Sequence, residues 1–76
     1  MKQYLKSDFD ETYIYDRFIL VNTIMEEDDN RKNFYEWGEV HSGNKVILHD
    51  FFSDAGSYTK FSDAITKFKI FIDNLK

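Results

Sequence analysis

Asn33-Phe34-Tyr35-Glu36-Trp37-Gly38-Glu39-Val40-His41 and Lys45-Val46-Ile47-Leu48-His49-Asp50-Phe51-Phe52 flank the short segment Ser42-Gly43-Asn44. Both flanks are rich in aromatic and β-branched residues and turn residues divide them, so they read as two strands of a hairpin. Gly43-Asn44 suits the centre of a two-residue type II′ turn. That turn predicts Ser42 opposite Lys45, Val40 opposite Ile47 and Gly38 opposite His49. Side chains alternate between the faces of a strand. One face would then hold Phe34, Glu36, Gly38 and Val40 with Ile47, His49 and Phe51. The other would hold Tyr35, Trp37, Glu39 and His41 with Val46, Leu48, Asp50 and Phe52.

Upstream, residues 13–25 form a third strand-like run centred on Phe18-Ile19-Leu20-Val21. A long polar connection, Glu26-Glu27-Asp28-Asp29-Asn30-Arg31-Lys32, separates it from the strand at 33–41. Downstream, Tyr58, Phe61, Ala64, Ile65, Phe68, Phe71, Ile72 and Leu75 recur at spacings of three and four, which is one apolar face of a helix over 58–75. Ile70 widens that stripe. Ser57 suits its N-cap, and Lys67, Lys69 and Lys76 fall towards its C-terminal end, where cations suit the helix dipole. These elements predict an α+β fold: a three-stranded antiparallel β-meander (13–25, 33–41, 45–52), with room for an extra N-terminal strand or short helix, packed in two layers against one C-terminal helix. Residues 1–12 are expected to be loose or to cover the sheet.

One helix covers one sheet face. Gly38 marks the first face as the floor for the helix, because a helix aromatic could approach a residue that lacks a side chain. The Trp37 face is then left open unless residues 4–16 fold back over it. It mixes aromatic and acidic side chains, which makes it a candidate interface.

The chain has 76 residues, 14 acids against 10 bases, a net charge of −4, no cysteine and no proline. This length predicts one small domain. Without cysteine there is no disulfide framework and no thiolate site. The longest apolar run, Phe18 to Val21, is far short of the roughly 20 residues of a membrane-spanning helix. Met1 to Phe9 has no apolar segment of the secretory type, so a cytoplasmic location is expected. Residues 1–50 carry 11 acids and 6 bases, whereas residues 51–76 carry 3 acids and 4 bases. No stretch has the density of lysine and arginine that phosphate binding requires, so a nucleic-acid partner is disfavoured.

Catalytic motifs are weak. Asp8-Phe9-Asp10-Glu11-Thr12 is similar to the D-x-D-x-T motif of haloacid-dehalogenase-type phosphatases, but that motif follows a buried strand in a full α/β domain, so it reads as an acidic loop. Glu26 to Asp29 lacks the spacing of a calcium loop and reads as a solvated hairpin tip. In the expected register His41 and His49 point to opposite faces and share no metal. No nucleophile elbow and no glycine-rich phosphate loop is present. A non-enzymatic role without cofactor or metal follows.

The expected function is an acidic protein-binding module that inhibits or modulates a larger, basic protein. Tyr35 and Trp37 would be anchors, and Glu39, Asp50, Glu26, Glu27, Asp28 and Asp29 would steer the encounter. In size, charge and architecture the chain resembles small phage-encoded inhibitors such as anti-CRISPR proteins, which implies a host defence or nucleic-acid-binding target. No motif is shared residue by residue. Two alternatives are a homodimer through the aromatic sheet face, and a single-stranded nucleic-acid binder stacking bases on Tyr35, Trp37 and Phe52.

Overall fold

The structure, a computed structural model, describes residues 3–75. It is an α+β fold in which five antiparallel strands pack against one C-terminal helix. The strands are β1 (Gln3–Leu5), β2 (Glu11–Tyr15), β3 (Phe18–Glu27), β4 (Asn30–His41) and β5 (Lys45–Phe51). The helix α1 spans Phe61–Leu75, and Lys6–Asp8 forms one 3-10 turn. The sheet order is β1-β5-β4-β3-β2. No helix among the described residues is long and apolar enough to cross a membrane.

The run expected as one strand over 13–25 is two strands. Asp16, with a φ of 62°, turns the chain so that Tyr15 pairs with Phe18. Aspartate tolerates this left-handed region better than most residues. The expected long connection from Glu26 to Lys32 is also shorter. Glu27 pairs with Asn30, so only Asp28 and Asp29 make the turn, with φ of 51° and 66°. Two positive φ angles in a two-residue loop are the signature of a type I′ turn, whose twist matches the strands.

The 42–45 turn corrects the expected register. His41, not Ser42, pairs with Lys45, which leaves the three-residue loop Ser42-Gly43-Asn44. Gly43 and Asn44 both have positive φ, at 77° and 59°. Val40 therefore faces Val46, Glu39 faces Ile47 and Gly38 faces Leu48. A bulge follows, and Trp37 faces Asp50 while Glu36 faces Phe51. His49 is the extra residue of the bulge. It returns the strand to the register that the two-residue turn would have set.

Gly38 marks the bulge rather than a helix contact. A Cβ there would collide with the Ile47 carbonyl oxygen and the Leu48 Cα. The glycine admits the β5 backbone, not a helix aromatic.

The helix packs on the Tyr35 and Trp37 face, the reverse of the expected arrangement. Phe18, Leu20, Tyr35, Phe52, Ala55, Ala64, Phe68 and Ile72 form one buried cluster, bordered by Tyr13, Tyr15, Trp37, Phe61, Ile65 and Phe71. Fully burying an isoleucine or phenylalanine stabilises by roughly 1.5–3 kcal/mol, so Phe68 and Ile72 hold the helix down. Tyr58 precedes the helix and is exposed, Ile70 points outward, and Ser57 lies four residues before the first helical residue. The last helical turn carries no base. Lys67 instead reaches the Asp54 carbonyl at 3.2 Å and Lys69 lies over the Tyr13 ring. The expected contribution of Lys76 falls outside the described residues.

The other face is half covered. The chain leaves β1 at one edge of the sheet and enters β2 at the opposite edge, so residues 6–10 strap across this face. Tyr4 and Phe9 pack there on Ile19, Val21 and Val46, with Val40 and Leu48 alongside. Both aspartates of the 8–12 segment serve this strap. The Asp8 carboxylate accepts from the Leu5 N–H at 2.8 Å, and the Asp10 carboxylate accepts from the Ile24 N–H at 2.7 Å. Beyond the strap, the half bearing Thr23, Met25, Lys32, Phe34, Glu36 and Phe51 is uncovered.

Replacing Gly38 by alanine should cost about 1–3 kcal/mol, as a forced backbone shift does, read as a fall in the urea midpoint. Gly43→Ala, with open space around its Cβ and only the positive φ to resist, should cost about 1 kcal/mol. Equal losses at both positions would contradict the close approach at the bulge.

Candidate functional site

The expected site residues divide into three places. Tyr35 is core, with 2% of its surface exposed. Its ring stacks on Phe61 at 6.4 Å and its hydroxyl donates to the Thr59 carbonyl. Phe52 is buried as well. Neither can anchor a partner or stack a base, because helix and loop lie over them. Glu26, Glu27, Asp28 and Asp29 occupy the tip of the β3–β4 hairpin, at the far end of the sheet from Glu39. Asp50 stands across the ladder from Trp37 and is exposed, its carboxylate accepting from the Phe51 N–H at 2.8 Å.

Trp37 and Glu39 are brought together at the mouth of a cleft of about 530 Å³. Asp16, Arg17, Phe18, His49 and Leu75 complete its lining. The β2–β3 turn supplies Asp16 and Arg17, β4 supplies Trp37 and Glu39, the bulge supplies His49, and α1 ends there with Leu75. Trp37 is half-buried. It packs edge-on against Phe71 at 5.0 Å and tilted against Phe18 at 6.2 Å. These contacts fix the indole while leaving part of it to the cleft.

Glu39 is the electrostatic centre. One carboxylate oxygen lies 3.5 Å from Arg17 Nε, and the other lies 3.5 Å from His49 Nε2 and 4.0 Å from His41 Nε2. Both histidines thus reach one carboxylate, although the expected register put them on opposite faces. The three-residue turn makes the difference: it pairs Glu39 with Ile47, so His49, two residues further along β5, falls on the Trp37 side, where its ring lies 4.9 Å from the indole. Among the described residues, no group of three His, Cys, Asp or Glu is arranged to hold a metal ion. The Arg17 guanidinium lies 5.2 Å over the Phe18 ring.

The chemistry of this cleft favours cations. An indole face, a carboxylate and a helix C-terminus all attract positive charge. The final carbonyls of α1 present the negative end of its dipole, and among the described residues of the last turn no base offsets it.

A second polar cluster lies under the 56–60 loop. The Asn22 amide is fully buried and donates to Glu11 at 2.9 Å and to Asn33 Oδ1 at 3.2 Å. The Asn33 amide donates to the Thr59 carbonyl at 2.9 Å. That bond orients Asn33, which forces Asn22 to present its NH2 and leaves Asn22 Oδ1 without a partner among the described residues. Arg31 lies 3.6 Å from Glu11 and closes the cluster. Sequence patterning did not flag Asn22, because a single polar residue within an apolar run carries no local signal.

Comparison with protein-family models, with curated proteins and with solved structures finds no match to this chain.

Burial first, and then the Glu11 carboxylate, push the Tyr35 phenol above its ordinary value, with Arg31 opposing and Asp63 adding to the rise. The folded protein therefore holds this proton after the unfolded chain has released it. Stability should fall as pH rises through about 10, the ordinary tyrosine value. Tyr35→Phe should flatten that alkaline loss in urea midpoints measured from neutral to alkaline pH. At neutral pH it should cost about 1 kcal/mol for the lost hydrogen bond. An unchanged alkaline slope would contradict the assignment.

Proposed function

We propose that the chain is a non-enzymatic, acidic protein-binding module that inhibits or modulates a larger basic protein. A partner's arginine or lysine side chain enters the Trp37–Glu39 cleft. The carrying observation is the position of Arg17. Its guanidinium sits over an aromatic ring and beside Glu39, which is the placement that an incoming cation would take. Yet the Arg17 side chain is 73% exposed. An exposed ion pair of this kind contributes about 0–1 kcal/mol, so a better-anchored cation can displace it.

The acidic turn at Asp28-Asp29 supports the same reading. It lies far from the cleft and cannot share a contact with it. With Glu26 and Glu27 it adds to the negative field that draws a basic surface towards the domain. Such steering raises association rates and weakens with salt. A target that binds nucleic acid has the required basic surface, and carboxylates can occupy its phosphate sites.

Trp37 is the single tryptophan, so its fluorescence reports on the cleft directly. Titration with a short arginine-rich peptide should change that emission saturably, with an affinity that falls as sodium chloride rises. Glu39→Gln should weaken the response about tenfold, the loss of a charge-assisted contact of about 1.4 kcal/mol. Arg17→Ala should strengthen it by vacating the cleft. A response insensitive to both substitutions would sink the proposal.

A further inference from the structure

The uncovered half of the second sheet face has a charge pattern of its own. Lys32, Phe34 and Glu36 alternate along β4 and share this face. Phe51 stands across the ladder from Glu36, with its ring edge-on to Phe34 at 5.9 Å. Met25 stands across from Lys32. Phe51 is 61% exposed and Met25 is 48% exposed. The strap of residues 6–10 and the side chains of Tyr4 and Phe9 cover only the neighbouring half.

Lys32 and Glu36 are both half-buried, and neither side chain has a hydrogen bond or ion pair among the described residues. Four residues of extended strand place their Cα atoms about 13 Å apart, too far to pair within the chain. Burial without a counter-charge pushes the Glu36 carboxyl above its ordinary range. Each residue is a half-desolvated charge at the border of an apolar patch, a place where an opposite charge from outside would be most effective.

We propose that this half-face is a two-fold self-association surface, in which Phe34 and Phe51 of two copies pack together and Lys32 of each copy pairs with Glu36 of the other. A pattern of base, aromatic and acid along one strand is complementary to itself when turned through 180° about its centre. With the two-fold axis over Phe34, the β4 strands of the two copies run antiparallel, and position 32 of one lies over position 36 of the other. Stacked sheets sit about 10 Å apart, a gap that extended lysine and glutamate side chains bridge together. The same rotation sends the two Glu26–Asp29 tips in opposite directions, which keeps the strongest like charges of the pair apart. A basic partner protein would have no need of Lys32 at this position, whereas a second copy uses both charges. The surface is isologous and closes at two copies. It also lies on the sheet face opposite the Trp37–Glu39 cleft, so assembly leaves the cleft open.

Sedimentation velocity on the full chain, from low micromolar to near millimolar concentration, tests this. The wild-type chain should pass from monomer to dimer. Lys32→Glu or Glu36→Lys alone sets like charges face to face and should weaken the dimer about tenfold or more. The double exchange K32E/E36K should restore it. Phe51→Ser, at an exposed position, should also dissociate the dimer, and the cooperative melting of each variant checks that it folds. Glu39→Gln, in the cleft, should leave the dimer unchanged. A wild-type monomer at every concentration would overturn the proposal. So would a dimer that survives both single exchanges, or one that the double exchange does not restore.

Discussion

The close approach of Gly38 to the β5 backbone at Ile47 and Leu48 sets the rest of the molecule. Because no Cβ stands at position 38, β5 can insert one extra residue, His49, and change its register in mid-strand. Before the bulge, Val46 and Leu48 face the strap. After it, Asp50 and Phe52 face the helix side. Without the change of register, either the turn-proximal or the turn-distal half of β5 would put its apolar residues on the wrong face, since a one-residue slip inverts every side chain. One missing side chain thus lets a seven-residue strand serve two different cores. The extra residue also lines the cleft, where His49 lies beside Trp37 and Glu39.

Both cores are small, and each needs a cover from elsewhere in the chain. The helix covers one with Ala64, Phe68 and Ile72. The strap covers half of the other with Phe9 and Tyr4. Five residues suffice for the strap because Asp8 and Asp10 accept hydrogen bonds from the backbone N–H groups of Leu5 and Ile24. In a domain this size, roughly 60% of the unfolded surface is buried. Among the described residues no third element finishes the second face, and its apolar remainder is exposed for that reason. The site features follow from the same shortage: the cleft lies at the end of the helix, and the open patch lies where the strap stops.

The helix and the strand regions were legible because apolar periodicity is a local, redundant signal. Phe61, Ala64, Phe68 and Ile72 each repeat the same message. The faces were not legible, because the register of β4 against β5 depended on a single choice between a two- and a three-residue turn. Ser42-Gly43-Asn44 allows both. Gly38 carried the missing information, but a strand glycine marks a close approach without saying from which side. The acidic run from Glu26 to Asp29 concealed a tight turn, since aspartate pairs are far less usual at type I′ positions than Asn-Gly. Among the site residues, Trp37 and Glu39 were recognisable as neighbours two residues apart on one strand face. His49 was not, because only the three-residue turn register puts it on their face.

The Asp28-Asp29 turn is where folding and charge disagree. Glycine at either position would relieve the positive φ, and a neutral residue would relieve the crowding of four consecutive carboxylates. The sequence keeps both costs at the most protruding point of the sheet. Strain held at an exposed position, without a packing role, is an argument for selection on something other than stability. The fold tolerates it because the β3–β4 ladder is ten pairs long and is anchored at its other end by Ile19 and Leu20, both fully buried. That long ladder separates the strained, charged tip from the cores. The negative charge can therefore accumulate at one end of the sheet while the cleft at the other end keeps its own balance of Glu39, Arg17 and two histidines.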